Sequence, residues 1–140
     1  MSLKEDRFSS CLYFASNTLA RKLTKMGEQA FSGLGMSPSY AFLLLVVINR
    51  PGVQPSEISN ELELAPSTVT RHIEKLEREG LIERHSQGRA TNVQPTEKGK
   101  ALRDQLESAW NELQQGYSEL LGDRYTEVLT EMTYKAAAKL

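Results

Sequence analysis

Residues 67–85 read STVTRHIEKLEREGLIERH. Val69, Ile73 and Leu76 recur at the helical period, and at 100° per residue Ile73 and Leu76 lie within about 40° of Val69. On the opposite side fall Ser67, Thr68, Arg71, Glu74, Lys75 and Arg78. The spacing predicts a short helix with a narrow packed edge and a broad exposed face. Pro66 stands at its first position and Gly80 just past its end, where helices favour these residues.

Working upstream, Pro55 to about Leu62 reads as a second short helix with Ile58 and Leu62 inward, joined to the first by a tight Leu64-Ala65 connection. Two helices joined this way form a helix-turn-helix. Downstream, LIERH (81–85) and ATNVQ (90–94) flank Ser86-Gln87-Gly88-Arg89, a small hairpin with glycine at its tip. Helix-turn-helix and hairpin together predict a winged helix, with a wing over about 81–95. Further upstream, Ser37-Pro38 supplies an N-cap and an N1 proline for a segment that is apolar nearly all round. FLLLVVI (42–48) reads as a buried helix running to Asn49, and a buried strand fits the same run.

The remaining segments are long and helical. Phe8, Leu12, Ala15, Leu19, Leu23, Met26 and Ala30 form one apolar stripe, ended by Gly33 and Gly35. Thr96 caps a helix with Leu102, Leu106, Ala109, Leu113, Tyr117 and Leu120 in line. Gly122-Asp123 breaks the chain before a last helix carrying Tyr125, Leu129, Met132, Ala136 and Leu140. These stripes exceed what one small winged helix covers, so residues 8–30 and 101–140 are expected to pair with a second copy. A bundle closed within one chain is the alternative.

The 140 residues suit a single domain, and 39% hydrophobic with 25% charged residues is ordinary for a soluble globular protein. Cys11 is the lone cysteine, which excludes an intrachain disulfide and fits a reducing cytoplasm. MSLKEDRFSS lacks the apolar core of a signal peptide, and Met1-Ser2-Leu3 reads in part as a cloning remnant. Net charge is −1, yet residues 66–100 hold seven Lys/Arg against five acids. With only His72 and His85, neither with a spaced partner, no metal site, cofactor site or catalytic triad is expected, and the chain is not read as an enzyme.

The polar face of 66–78 fits a major groove. Short side chains allow close approach, hydroxyls bond phosphates or base edges, and an arginine can fork onto guanine. Ser67, Thr68, Thr70, Arg71 and Lys75 are the candidate DNA contacts, with Pro66 and His72 setting or supporting the docking. Arg89 at the wing tip suits a minor groove or backbone, or else caps a turn or pairs with Glu83. A simply solvated helix face, or a winged helix used for protein–protein assembly, are the competing readings.

The run QPSEISNELELAPSTVTRHIEKLEREGLIER (54–84), followed by VQPTEKGKAL (93–102), resembles the multiple-antibiotic-resistance regulator (MarR) family of transcription factors. The STVTR helix, the L-E-x-x-G-L-I-x-R exit and the T-E-K-G helix start carry the likeness. It implies a mainly α fold over 1–140, a winged helix-turn-helix over 37–100, and dimerisation helices over 8–34 and 101–140. It implies a homodimer on pseudo-palindromic, double-stranded operator DNA, usually a repressor released by a small ligand or oxidant. Half-sites about one helical turn apart would follow. The SQGR tip departs from the family, whose wings are longer and commonly carry an acid before the arginine. A pocket for a small phenolic or other aromatic effector is implied between the dimer helices and the winged domain. Phe14, Met36, Tyr40 and Phe42 are candidate lining residues or plain core. Peroxide sensors of this family use a cysteine in the first helix. Aligning SSCLYFAS on its Leu-Tyr pair places Ser9 at that position, so Cys11 is expected to be buried and inert rather than a redox switch. Tyr13, Tyr40 and Tyr117 are candidate hydrogen-bond donors to it.

Overall fold

The computed structural model describes residues 7–140; the reading of Met1-Ser2-Leu3 lies outside them. The chain divides into two compact units, one of residues up to Ala30 together with Trp110–Leu140, the other Phe31–Ala109.

The second unit begins with a single 3-10 turn (Ser32–Leu34) and then α2 (Pro38–Asn49), α3 (Pro55–Leu62) and α4 (Pro66–Arg78). The wing strands β1 (Ile82–Gln87) and β2 (Ala90–Pro95) follow, then α5 (Glu97–Lys100) and the first turns of α6 (Arg103–Leu121). The 42–48 run is helical, which settles the choice between helix and strand. Leu43 to Ile48 are all buried in succession, which requires an element wrapped on every side. α3, α4, α5 and β2 surround it. Ser37 sits at the N-cap but its side chain makes no capping bond, so the start rests on Pro38 and its fixed φ.

α3 opens with Glu57 accepting from the Gln54 backbone N–H at 3.0 Å. It ends at Glu63, whose φ of 51° is left-handed. The turn into α4 therefore begins one residue earlier than the Leu64-Ala65 connection read from the sequence. Val69, Ile73 and Leu76 are buried, as their spacing predicts.

The hairpin is antiparallel from Ile82↔Pro95 to Gln87↔Ala90, leaving only Gly88 and Arg89 as its turn. That is tighter than the four-residue tip expected. Gly88 takes φ 63°, which a right-handed strand twist demands of a two-residue turn and which favours glycine. A bridge from Val53 to Val93 adds the α2–α3 connection to the sheet.

The start of α5 grips the chain where α4 ends. Thr96 Oγ1 accepts from the Gly99 N–H at 3.0 Å and donates to the Gly80 carbonyl at 2.7 Å. The Thr96 N–H reaches the Leu81 carbonyl at 3.1 Å, and Lys98 Nζ the Glu79 carbonyl at 2.9 Å. A turn at Ala101–Leu102 separates α5 from α6, where the sequence reads as one helix.

The first unit contains α1 (Leu12–Ala30), the rest of α6, and α7 (Asp123–Lys139). α1 starts at Leu12 rather than at Phe8, whose ring stacks on Phe14. None of the chain's buried hydrophobic side chains comes from this unit, among the described residues. Leu12, Tyr13, Leu120, Tyr125, Met132 and Tyr134 are exposed by 60 to 79%. Leu19, Leu23, Tyr117, Leu121 and Leu129 line an open apolar groove of about 360 Å³. Cys11 is exposed, which corrects the expectation of burial. Its neighbour Phe8 is half covered and Leu12 and Ala15 lie open, so the stripe has no cover there. Among the described residues, no helix is long and apolar enough to cross a membrane.

Candidate nucleic-acid interface

α4 presents its polar face because its apolar edge is spent against α2, α3 and β1. Ser67, Thr70, Arg71 and Arg78 are exposed, and Thr68 is half-buried. Ala65, at the N-cap, provides no side-chain bond, and its carbonyl takes the Thr68 N–H at 3.0 Å. In the first turn the Ser67 N–H, without a partner among the described residues, therefore stays open to an acceptor at the positive end of the helix dipole. Thr70 Oγ1 donates back to the Pro66 carbonyl at 3.0 Å and keeps its lone pairs outward. Arg71 rests its guanidinium on Thr68 Oγ1 at 3.4 Å, a weak exposed contact that a stronger acceptor would displace.

His72 and Lys75, one turn apart, turn toward α2 instead. The His72 ring stacks on Tyr40, with centroids 3.9 Å apart and planes 12° off parallel. Its Nε2 bonds Ser39 Oγ at 2.9 Å. Lys75 Nζ lies 4.5 Å from the centre of the same Tyr40 ring. His72 Nδ1 is buried and has no partner of good hydrogen-bond geometry.

Burial pushes the His72 pKa below its ordinary 6.5; Arg71 and Lys75 add to that, and the Thr68 backbone pulls the other way. The folded state therefore favours neutral imidazole. Just below the ordinary value the unfolded chain binds more protons than the fold, so stability is full above it and falls as pH drops through it. Urea unfolding at about pH 7.5 and about pH 5.5 should show a loss for the wild type that shrinks in His72→Gln. An equal loss in both would remove His72 as its source.

The wing is tied to α4 by one ion pair. Arg84 Nη2 meets Glu77 Oε1 at 2.8 Å, and the Arg84 backbone N–H donates to Glu77 Oε2 at 3.2 Å. The Arg84 guanidinium holds the Glu77 carboxyl below the usual carboxylate range. Sequence reasoning assigned neither residue a role, although both stand in the quoted L-E-x-x-G-L-I-x-R run. Glu83 pairs with His85 at 3.3 Å, not with Arg89. Arg89 is exposed at the turn and has no partner among the described residues.

The four candidate effector residues are divided between the units. Phe14 stacks on Phe8 in the first, while in the second Tyr40 belongs to the His72 stack and Phe42 meets Phe31 edge-on. Met36 is half-buried just before α2. Among the described residues, no three His, Cys, Asp or Glu side chains gather as a metal site would require.

Residues 34–90 match the MarR family model. No curated protein matches the chain. Among solved structures, the S. aureus MepR–DNA complex superposes with a TM-score of 0.80 at 19% identity, covering 92% of this chain and 98% of that one. CouR bound to a 23-mer DNA duplex gives 0.82 at 22% identity, covering 98% and 99%. CouR from Rhodococcus jostii RHA1 bound to p-coumaroyl-CoA gives 0.78 at 20% identity, covering 93% and 94%. At these identities the likeness establishes the fold.

Proposed function

We propose that this chain, whose residues 34–90 match the MarR family model, is a regulator of that family, a cytoplasmic repressor that binds pseudo-palindromic operator DNA as a homodimer. Proteins of that family are transcription regulators, not enzymes. The observation that carries the reading is α4, with its apolar edge buried and Ser67, Thr70 and Arg71 left exposed, together with an exposed Arg89 at the wing turn that has no partner among the described residues. A protein-docking winged helix would need an apolar exposed face there, and α4 has none. MepR and CouR, which share the fold, were solved on DNA.

The homodimer is supported by the first unit, whose described residues bury no large apolar side chain of their own. Release by a small aromatic ligand is supported by CouR, which shares the fold and was solved bound to p-coumaroyl-CoA. Release by an oxidant would use Cys11, which is accessible in the single chain.

The test is titration of the purified protein against its own gene's upstream DNA and against random duplex at fixed salt. Preference for the upstream fragment is expected, and equal affinity for both would sink the regulator reading. In the same assay Arg71→Ala should lose about 1–3 kcal/mol on the preferred sequence if it reads a guanine. Lys75→Ala should weaken all sequences alike and lower the salt slope by about one. Equal losses by both variants on every duplex would end base reading by Arg71.

A further inference from the structure

We propose that Tyr40, on α2 rather than on the recognition helix, is a positioning residue for DNA binding that fixes Lys75 for a phosphate. Its role rests on the DNA-binding reading above. One ring takes two α4 side chains, His72 by stacking at 3.9 Å and Lys75 by its ammonium at 4.5 Å. The two share a face of α4 because they are three residues apart.

The choice of partner matters chemically. Lys75 has no ion pair among the described residues, and Glu77, two positions along and so on a different face of α4, is taken by Arg84. A carboxylate would neutralise the ammonium and compete with phosphate. An aromatic face attracts the cation through its quadrupole and leaves the ammonium charge intact. With three N–H donors, the group can sit on the ring and still bond a phosphate oxygen. Lysine otherwise loses much rotamer freedom when it binds, and the ring removes part of that loss beforehand. Ser39, next to Tyr40 on α2, bonds His72 Nε2 at 2.9 Å, so the Tyr40 ring has a fixed place relative to α4.

The experiment uses the full-length protein and a duplex selected by the wild type from a random pool. Dissociation constants are measured over a range of salt for wild type, Tyr40→Leu, Lys75→Ala and the double variant, with thermal melting of each. Tyr40→Leu should bind about threefold to tenfold more weakly, with the salt slope unchanged because the phosphate contact still forms. Most of that loss should vanish when Lys75 is already alanine, a coupling that a merely structural role would not produce. Tyr40→Phe should stay within about twofold of wild type, whereas a ring-fluorinated phenylalanine, whose face is no longer negative, should bind like the leucine variant. Wild-type affinity in Tyr40→Leu, or the same loss with and without Lys75, overturns the inference. If the leucine variant does not melt cooperatively, equal binding by the two phenylalanine forms overturns it. A wild type that selects no duplex brings down the DNA reading, and this inference with it.

Discussion

Gly99→Ala should destabilise the winged-helix unit by on the order of 3 kcal/mol, read as a fall in the urea midpoint at unchanged m-value. A Cβ at Gly99 would lie 2.1 Å from the Leu81 carbonyl oxygen and 3.1 Å from its carbon. Both are backbone atoms, so neither can rotate aside. That carbonyl also accepts the Thr96 N–H, and moving it breaks the grip of α5 on the end of α4. The helix-propensity gain of alanine over glycine, about 1 kcal/mol, works in the opposite direction and is smaller. Gly33→Ala is the control: nothing lies within 4 Å of its Cβ position, and the change should fall within about 0.5 kcal/mol. A neutral Gly99→Ala would mean that α5 does not approach Leu81 this closely. Because Glu79, Gly80 and Leu81 join α4 to the wing, loss of DNA affinity in this variant should follow its loss of stability.

The second large effect concerns assembly. Leu120 and Met132 are exposed by 78% and 64% in the single chain, on helices that bury no large side chain within their own unit. Burying either in a dimer would contribute about 1.5–3 kcal/mol, and a carboxylate there would add a desolvation penalty. Leu120→Glu with Met132→Glu should therefore shift a micromolar solution from dimer to monomer, measured by sedimentation. Operator affinity should fall by about two to four decades, because the second half-site would no longer be held at high effective concentration. A doubly substituted protein that remains dimeric would place these residues outside the interface. A wild type that sediments as a monomer would end the homodimer proposal.

Much of the winged helix could be read from local chemistry. Val69, Ile73 and Leu76 repeat at the helical period, and one buried edge and one polar face follow from that alone. Pro66, Gly80 and Gly88 each meet a backbone requirement that few residues satisfy, so their positions marked a helix start, a helix end and a wing turn. The STVTR face needed no partner to be recognised, since it is defined by what it leaves exposed. Periodicity also found the long stripes of α1, α6 and α7. It could not say what covers them, because amphipathicity names an apolar face and not its occupant.

What the tertiary structure decided depends on residues far apart in sequence meeting closely. The pattern on α4 could not show that His72 and Lys75 belong to Tyr40, which lies more than thirty positions upstream. Glu77 and Arg84 were both in a quoted motif, yet their pairing exists only because the chain reverses at Gly80. FLLLVVI was read as a buried helix with a buried strand as the alternative, and the helix is what α3, α4, α5 and β2 enclose. Cys11 lay close to an apolar stripe and is nevertheless exposed, since the stripe lacks a cover at that end. The glycine of T-E-K-G, finally, is required by a carbonyl eighteen residues earlier. Composition and period fix which faces are apolar and which backbone positions are special, while steric approach between distant segments fixes which side chains those faces meet.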